Sequence, residues 1–219
     1  MFLNTEDVSD TSVASAPLHF SALQMALKRG LDILVAATAL ILFSPLFALI
    51  SILIRLTSPG PIFFRWHVVG KDGRPFVGYK FRSMVNGADR AREQLNNKNE
   101  MTGVFFKMRN DPRVTPLGRV LRRFSLDEFP QLWSVLRGQM SLVGPRPSQV
   151  FEHQQLSDWQ KQRTRVKPGL VSLWIVTGKC KNFDDMVRLD LYYTCNYSIW
   201  LDLNILARAV PYVILGQNQ

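Results

Sequence analysis

From Leu31 to Leu56 the chain reads LDILVAATALILFSPLFALISILIRL, an almost wholly apolar run with Ser44-Pro45 at its middle. At about 1.5 Å per residue, a straight helix of this length is long enough to cross a hydrocarbon core of roughly 30 Å. Two features oppose a simple crossing. Pro45 lacks the N–H that an unbroken helix needs there, and so bends it. Basic residues also stand at both ends, Lys28 and Arg29 before and Arg55 after, with a strongly basic stretch beyond, and positive charge favours the cytoplasmic side at each. A helix broken at Ser44 and Pro45 that enters and leaves by the same face meets both conditions, the Ser44 hydroxyl and its neighbours satisfying the backbone that the proline frees. A kinked helix that crosses is the alternative, because proline is common in membrane helices.

This run divides the chain. Residues 1–22 begin with a stretch rich in Ser, Thr, Asp and Ala, without periodicity, and read as a flexible lead-in. A secretory signal would carry its positive charges first, whereas Lys28 and Arg29 come late. Residues 23–57 hold the membrane helix, and Ser58-Pro59-Gly60-Pro61 opens a remainder, 58–219, sized for one domain. Lys and Arg number 27 against 17 Asp and Glu, so anionic partners are expected: nucleic acid, lipid headgroups or phosphorylated substrates. Cys180 and Cys195 match no metal or redox spacing, which fits a reduced compartment and speaks against a zinc site. A Walker loop, a Gly-rich dinucleotide turn and a Gly-x-Ser-x-Gly elbow are all missing from the sequence.

Within 58–219, Ile62 to Arg65 and Phe76 to Phe81 form a candidate strand pair around Gly70-Lys71-Asp72-Gly73. Lys80 and Arg82 alternate with Tyr79 and Phe81, which in a strand puts both cations on one face, as a phosphate-binding wall or a solvated edge requires. Leu117, Val120, Leu121 and Phe124 mark one side of a short helix, with Arg119, Arg122 and Arg123 around the rest, a composition suited to an anionic membrane surface. Ser125 then stands three residues before Glu128, the spacing of a capping box, and Phe129, Leu132, Trp133 and Leu136 recur with helical period up to Gly138. The adjacent carboxylates Asp127 and Glu128 repel each other and need cations. Arg119, Arg122 and Arg123 upstream and Arg146 in Gly144-Pro145-Arg146-Pro147 downstream can supply them, while a divalent ion can bridge carboxylate and phosphate oxygens. Phosphoryl transfer fits this constellation; two acids that merely complement a helix start fit the spacing as well. Ile199 to Leu215 reads as a helix that packs on the core or dips into the interface.

Taken in order, the Ser44-Pro45 break, KFRSM (Lys80 to Met84), SLDEFPQLWSVLRGQMSLVGPRP (Ser125 to Pro147) and RVKPG (Arg165 to Gly169) resemble the bacterial sugar transferases known as monotopic phosphoglycosyl transferases. The resemblance runs from about Lys28 to the C-terminus. It implies an α/β-type, helix-rich (α+β) catalytic domain with interfacial helices, carried on a re-entrant membrane helix at the cytoplasmic face of a bacterial inner membrane. It implies transfer of sugar-1-phosphate from a UDP-sugar to undecaprenyl (polyprenyl) phosphate with release of UMP, opening exopolysaccharide, O-antigen or glycoconjugate synthesis for downstream glycosyltransferases. Asp127 is then the nucleophile of an aspartyl-phosphosugar intermediate and Glu128 the ligand of Mg²⁺. Lys80, Arg82, Arg122, Arg146 and Pro147 are then the substrate-phosphate and nucleotide residues. The chain departs from the family pattern at two places. It has Trp66-His67-Val68-Val69-Gly70 where Gln-x-Arg-x-Gly is common, and Ser172-Leu173-Trp174-Ile175 where a glutamine follows the tryptophan. The rival reading is a non-enzymatic, membrane-anchored basic protein that binds anionic lipid or nucleic acid; a nucleic-acid surface, however, gains nothing from acids in its footprint.

Overall fold

The computed structural model describes residues 21–216 apart from 89–90, 101, 107, 109 and 178–181; most of the expected lead-in, and Cys180, lie outside the described residues. Helix α1 (Ala22–Leu42) starts at a capping box in which the Gln24 N–H donates to Ser21 Oγ and the Ser21 N–H donates to Gln24 Oε1, each at 3.1 Å. It stops at Phe43, and α2 (Ser44–Thr57) leaves at a bend of 60° with Pro45 in its first turn. The Ser44 hydroxyl donates to the Ile41 carbonyl at 2.8 Å. That carbonyl is the one a Pro45 N–H would have bonded in a continuous helix, so the serine supplies the missing donor. Among the described residues no single helix is long and apolar enough to cross a membrane, but this bent pair is, by length and composition.

Both ends of the pair are tied to the same body. Lys28 is ion-paired with Asp202 and donates to the Val143 carbonyl, and the Tyr193 hydroxyl donates to Asp202 Oδ1 at 2.8 Å. Arg29 donates to the Val135 and Leu136 carbonyls, both at 2.6 Å, at the end of a short helix where carbonyls lack intrahelical partners. Asp32, buried, accepts from Ser141 Oγ and the Leu142 N–H. The basic flank before the apolar run is therefore built into the protein through ion pairs and carbonyl contacts. At the far end Ile50 and Ile54 of α2 pack on Phe81 and Leu121, each such side chain contributing roughly 1.5–3 kcal/mol on full burial. The opposite sides of α1 and α2 present Leu34, Ile41, Leu42, Ile52 and Leu56 outward.

Strands β1 (Phe63–Val69) and β2 (Pro75–Phe81) form the antiparallel pair, with Trp66 opposite Gly78 and Phe64 opposite Lys80. The turn between them sits at Lys71–Gly73, where Asp72 and Gly73 have φ of 57° and 75°. Helix α3 (Pro116–Arg123) is capped by Thr115 Oγ, which accepts from the Gly118 N–H at 2.9 Å. Leu121 on α3 is buried but Val120 faces out, so the expected apolar side is split between core and exterior. Next come a 3₁₀ turn, Leu126–Gln131, and α4 (Leu132–Leu136). β3 (Ser141–Val143) pairs in parallel with β4 (Gly169–Val171), and α5 (Val150–Gln154), α6 (Asp158–Lys161), α7 (Leu173–Thr177), α8 (Phe183–Cys195) and α9 (Ile199–Ile214) complete the chain. Ala36 of α1 shares the main core with Leu132, Val135, Met140, Leu142, Tyr193 and Ile205. The architecture is thus mixed and helix-rich, with two small two-stranded sheets among the described residues.

One local expectation fails. Ser125 does not cap a helix: it sits at φ 53° with no side-chain cap bond, and Leu126–Gln131 winds as 3₁₀. At three residues per turn rather than 3.6, six residues turn the chain further than an α-helix does. The buried side downstream shifts accordingly, leaving Val135 fully buried and Trp133 53 % exposed.

Candidate active site

The 3₁₀ turn carrying Asp127 and Glu128 lies against β2, which brings Lys80 to the pair. Lys80 Nζ is 2.6 Å from Glu128 Oε1, and the same ammonium stands 3.9 Å from the centre of the Trp66 ring. Asp127 is 7 % exposed, whereas the Glu128 side chain is 28 % exposed and opens on a shallow cleft lined also by Trp66, Arg146, Pro147, Ser172 and Ile175. From α3, Arg122 donates to Ser83 Oγ at 2.9 Å and adds its charge to the field at both carboxylates.

The two acids are driven apart. Burial, with the Glu128 charge beside it, lifts the Asp127 carboxyl from 3.8 to about 6 against the pull of Lys80 and Arg122. Burial also works against the Glu128 carboxylate, but there Lys80, Arg146 and Arg122 prevail and hold its carboxyl below its ordinary 4.5. Neighbouring acids pushed in opposite directions suit different tasks. Glu128 stays ionised over a wide pH range, while Asp127 is a recessed carboxylate stripped of water, reactive once deprotonated.

The Gly144-Pro145-Arg146-Pro147 loop owes its position to backbone contact. The Gly169 N–H donates to the Pro145 carbonyl at 2.8 Å. A Cβ on Gly169 would lie 2.1 Å from Gly144 N, and one on Gly144 would lie 2.6 Å from the Lys167 carbonyl, so neither position admits a side chain. Behind the loop Arg163, 1 % exposed, donates to the Arg146 carbonyl at 2.7 Å and is ion-paired with Asp190. Burial lifts the Asp190 carboxyl to about 6 although Arg163 opposes it.

Of the residues singled out in the sequence, Asp127, Glu128, Lys80, Arg122, Arg146 and Pro147 come together. Arg82 does not join them. Its guanidinium is buried and donates to the Ser58 carbonyl and hydroxyl, both at 2.7 Å, where α2 ends. The strand ends at Phe81, so alternation no longer governs the next residue, and Arg82 fastens the end of α2 instead. The buried Arg163–Asp190 pair and the Lys80–Trp66 contact had no place in the sequence reading. A carboxylate among the apolar residues Met186, Val187, Leu189 and Leu191, all buried in α8, was the available sign for Asp190. Among the described residues no three His, Cys, Asp or Glu side chains gather as a metal site. Two adjacent carboxylates, one of them at a cleft lined by Arg146, still meet the habit of Mg²⁺, which uses one or two protein carboxylates and takes its other ligands from phosphate and water.

Comparison with known proteins agrees with this arrangement. The profile of the family described as "Bacterial sugar transferase" matches residues 23–216. "Galactosyl transferase CpsE" of Streptococcus agalactiae is 43% identical over 159 residues, 72% of this chain and 35% of CpsE. "Exopolysaccharide production protein ExoY" of Rhizobium meliloti is 38% identical over 196 residues, 87% of each chain. "UDP-glucose:undecaprenyl-phosphate glucose-1-phosphate transferase" of Escherichia coli is 37% identical over 205 residues, 88% of this chain and 42% of that protein. The chain thus spans most of ExoY but well under half of the other two. With a family profile matched from the start of α1 to the turn after α9, and a relative 38% identical over 87% of each chain, the chain belongs to the bacterial sugar transferase family.

Proposed function

We propose that this chain transfers a sugar-1-phosphate from a UDP-sugar to undecaprenyl phosphate, releasing UMP. The observation that carries the reading is the buried Asp127 beside an ionised Glu128 and the Lys80 ammonium, in a chain of this family. An Asp127 carboxylate oxygen attacks the sugar-bearing phosphorus, the bond to the UMP oxygen breaks, and UMP leaves with the electron pair. An oxygen of the lipid phosphate then attacks the same phosphorus, and the Asp127 carboxylate is released unchanged. Lys80, Arg122 and Arg146 compensate the charge gathering on the phosphates and on departing UMP. Glu128, with Asp127 beside it, is the residue that would hold Mg²⁺; bound there, the ion would screen the diphosphate and polarise its oxygens.

The bent pair α1–α2 is read as a re-entrant element on the cytoplasmic face of a bacterial inner membrane. It is supported by the attachment of both its ends to one body, through Lys28, Arg29 and Asp32 at the start and Ser58 at the end, and by the apolar sides of α1 and α2 left outward. Trp200, Val210 and Ile214 of α9 extend that apolar surface and suit membrane lipids as partners. The product would serve downstream glycosyltransferases that build on a lipid-linked diphosphate sugar. The test is UMP release by the full chain, in nanodiscs with undecaprenyl phosphate, across UDP-glucose, UDP-galactose and UDP-N-acetylgalactosamine, with and without Mg²⁺. Turnover of at least one donor, dependent on the lipid phosphate, is expected; UMP release beyond one equivalent per chain that ignores the lipid acceptor refutes the transfer.

A further inference from the structure

The Lys80 ammonium is held from two sides by groups of different kind. On one side Glu128 Oε1 accepts from it at 2.6 Å; on the other it stands 3.9 Å above the Trp66 ring centre. A lysine head on a four-carbon stem has three donors and much rotamer freedom, so a single ion pair in a partly wet site leaves it free to sweep. A second carboxylate would fix the head but cancel its charge. An aromatic face attracts the cation through its quadrupole and leaves the charge undiminished for a phosphate.

The strand pair is built to deliver that face. Trp66 lies opposite Gly78, and Lys80, two residues on, is its diagonal neighbour across the strands. The Trp66 indole lies against the bare backbone of Gly78, close enough that a Cβ there would touch Trp66 Cε3 at ordinary van der Waals distance, 3.8 Å. Trp66 is 7 % exposed, so the ring is wedged, and it borders the same cleft as Glu128 and Arg146.

We propose that Trp66 is a positioning residue of the site: its indole face fixes the Lys80 ammonium at the mouth of the Glu128 cleft, where that ammonium meets a phosphate of the sugar nucleotide. This rests on the transfer reading, and its test has one arm that needs no turnover. In the full chain in nanodiscs, with lysine ε-carbons labelled and the Lys80 signal assigned through Lys80→Arg, the Lys80 methylene protons should show an upfield ring-current displacement. Trp66→Leu should abolish it. In the turnover arm, kcat/KM should fall in steps as mono-, di- and trifluorotryptophan weaken the ring quadrupole, with the melting temperature unmoved. Trp66→Leu should lose about tenfold and Trp66→Phe should recover part of that loss. Repeating the fluorinated series in the Trp66→Phe background isolates Trp66 from Trp174, which stands 5.7 Å from the Arg146 guanidinium. A flat series, or a Lys80 signal without displacement, overturns the proposal. So does a change confined to KM for one sugar with the Lys80 signal unmoved, which would make Trp66 a sugar contact. A chain with the displaced Lys80 signal but no turnover of any donor overturns the transfer reading and leaves the Trp66–Lys80 clamp standing.

Discussion

Replacing Asp127 by asparagine should make the protein inactive and more stable at once. The carboxyl is lifted from 3.8 to about 6 because it is buried beside Glu128, so the folded protein prefers it protonated. Below about pH 4 the acid is neutral in both folded and unfolded chains and costs nothing. Between pH 4 and 6 the unfolded chain ionises first and stability is lost as pH rises; above about 6 the loss is complete. A shift of about two pH units corresponds to about 3 kcal/mol. Asparagine keeps the volume and removes the charge, so at pH 7.5 the variant should gain about that much, roughly 6–12 °C in melting temperature for a chain of this size. Calorimetry of wild type and Asp127→Asn in the same nanodiscs, at pH 7.5 and at pH 4, reads both limits. A variant less stable than wild type at pH 7.5, or a gain that persists undiminished at pH 4, would refute the reasoning. Retained turnover in the variant would remove Asp127 as nucleophile.

Glu128→Gln should lose about 10²-fold in turnover and need more Mg²⁺ for half-activation; a half-activation point that does not move would strip Glu128 of the metal role. Arg146→Ala should raise KM for the UDP-sugar or lower kcat with little change in melting temperature, because the loop's carbonyls are held by the Gly169 N–H and the Arg163 guanidinium rather than by the Arg146 side chain; a destabilised variant with normal kinetics would make the residue structural. Asp190→Asn should cost about 3–5 kcal/mol by stranding the buried Arg163 charge, read by chemical denaturation, and a neutral effect would contradict the burial argument. With Cys180 and Cys195 replaced, cysteines at Ala22 and Pro59 should both resist a membrane-impermeant thiol reagent in intact cells and react after permeabilisation; labelling of the first from outside would make the segment an ordinary span.

Much of this protein was legible in order along the chain. The apolar run and its proline predict a broken helix, and the break stands at Phe43 with Ser44 bonding the freed carbonyl. Short apolar and aromatic runs on either side of Gly70–Gly73 predict the hairpin, though its first strand runs Phe63–Val69 rather than stopping at Arg65, and Ile199–Leu215 predicts α9 almost to the residue. These features follow from local rules: proline lacks a donor, and side chains alternate across a strand. The pairing of Asp127 with Glu128 was equally plain, being adjacency itself.

What the tertiary structure decided is which charges meet. Lys28 and Arg29 look like flanking cations until Asp202 and the Val135 and Leu136 carbonyls are brought to them from the far half of the chain. Lys80 and Arg82 share a spacing but not a fate, since the strand ends between them and Arg82 turns to Ser58 while Lys80 settles between Trp66 and Glu128. The left-handed Ser125 and the 3₁₀ turn after it replace a cap that the local spacing predicted. In each case the cause is the same. A local pattern determines which face a side chain can occupy, but a buried charge must find a partner to offset its lost hydration, and that partner comes from wherever packing brings the chain back.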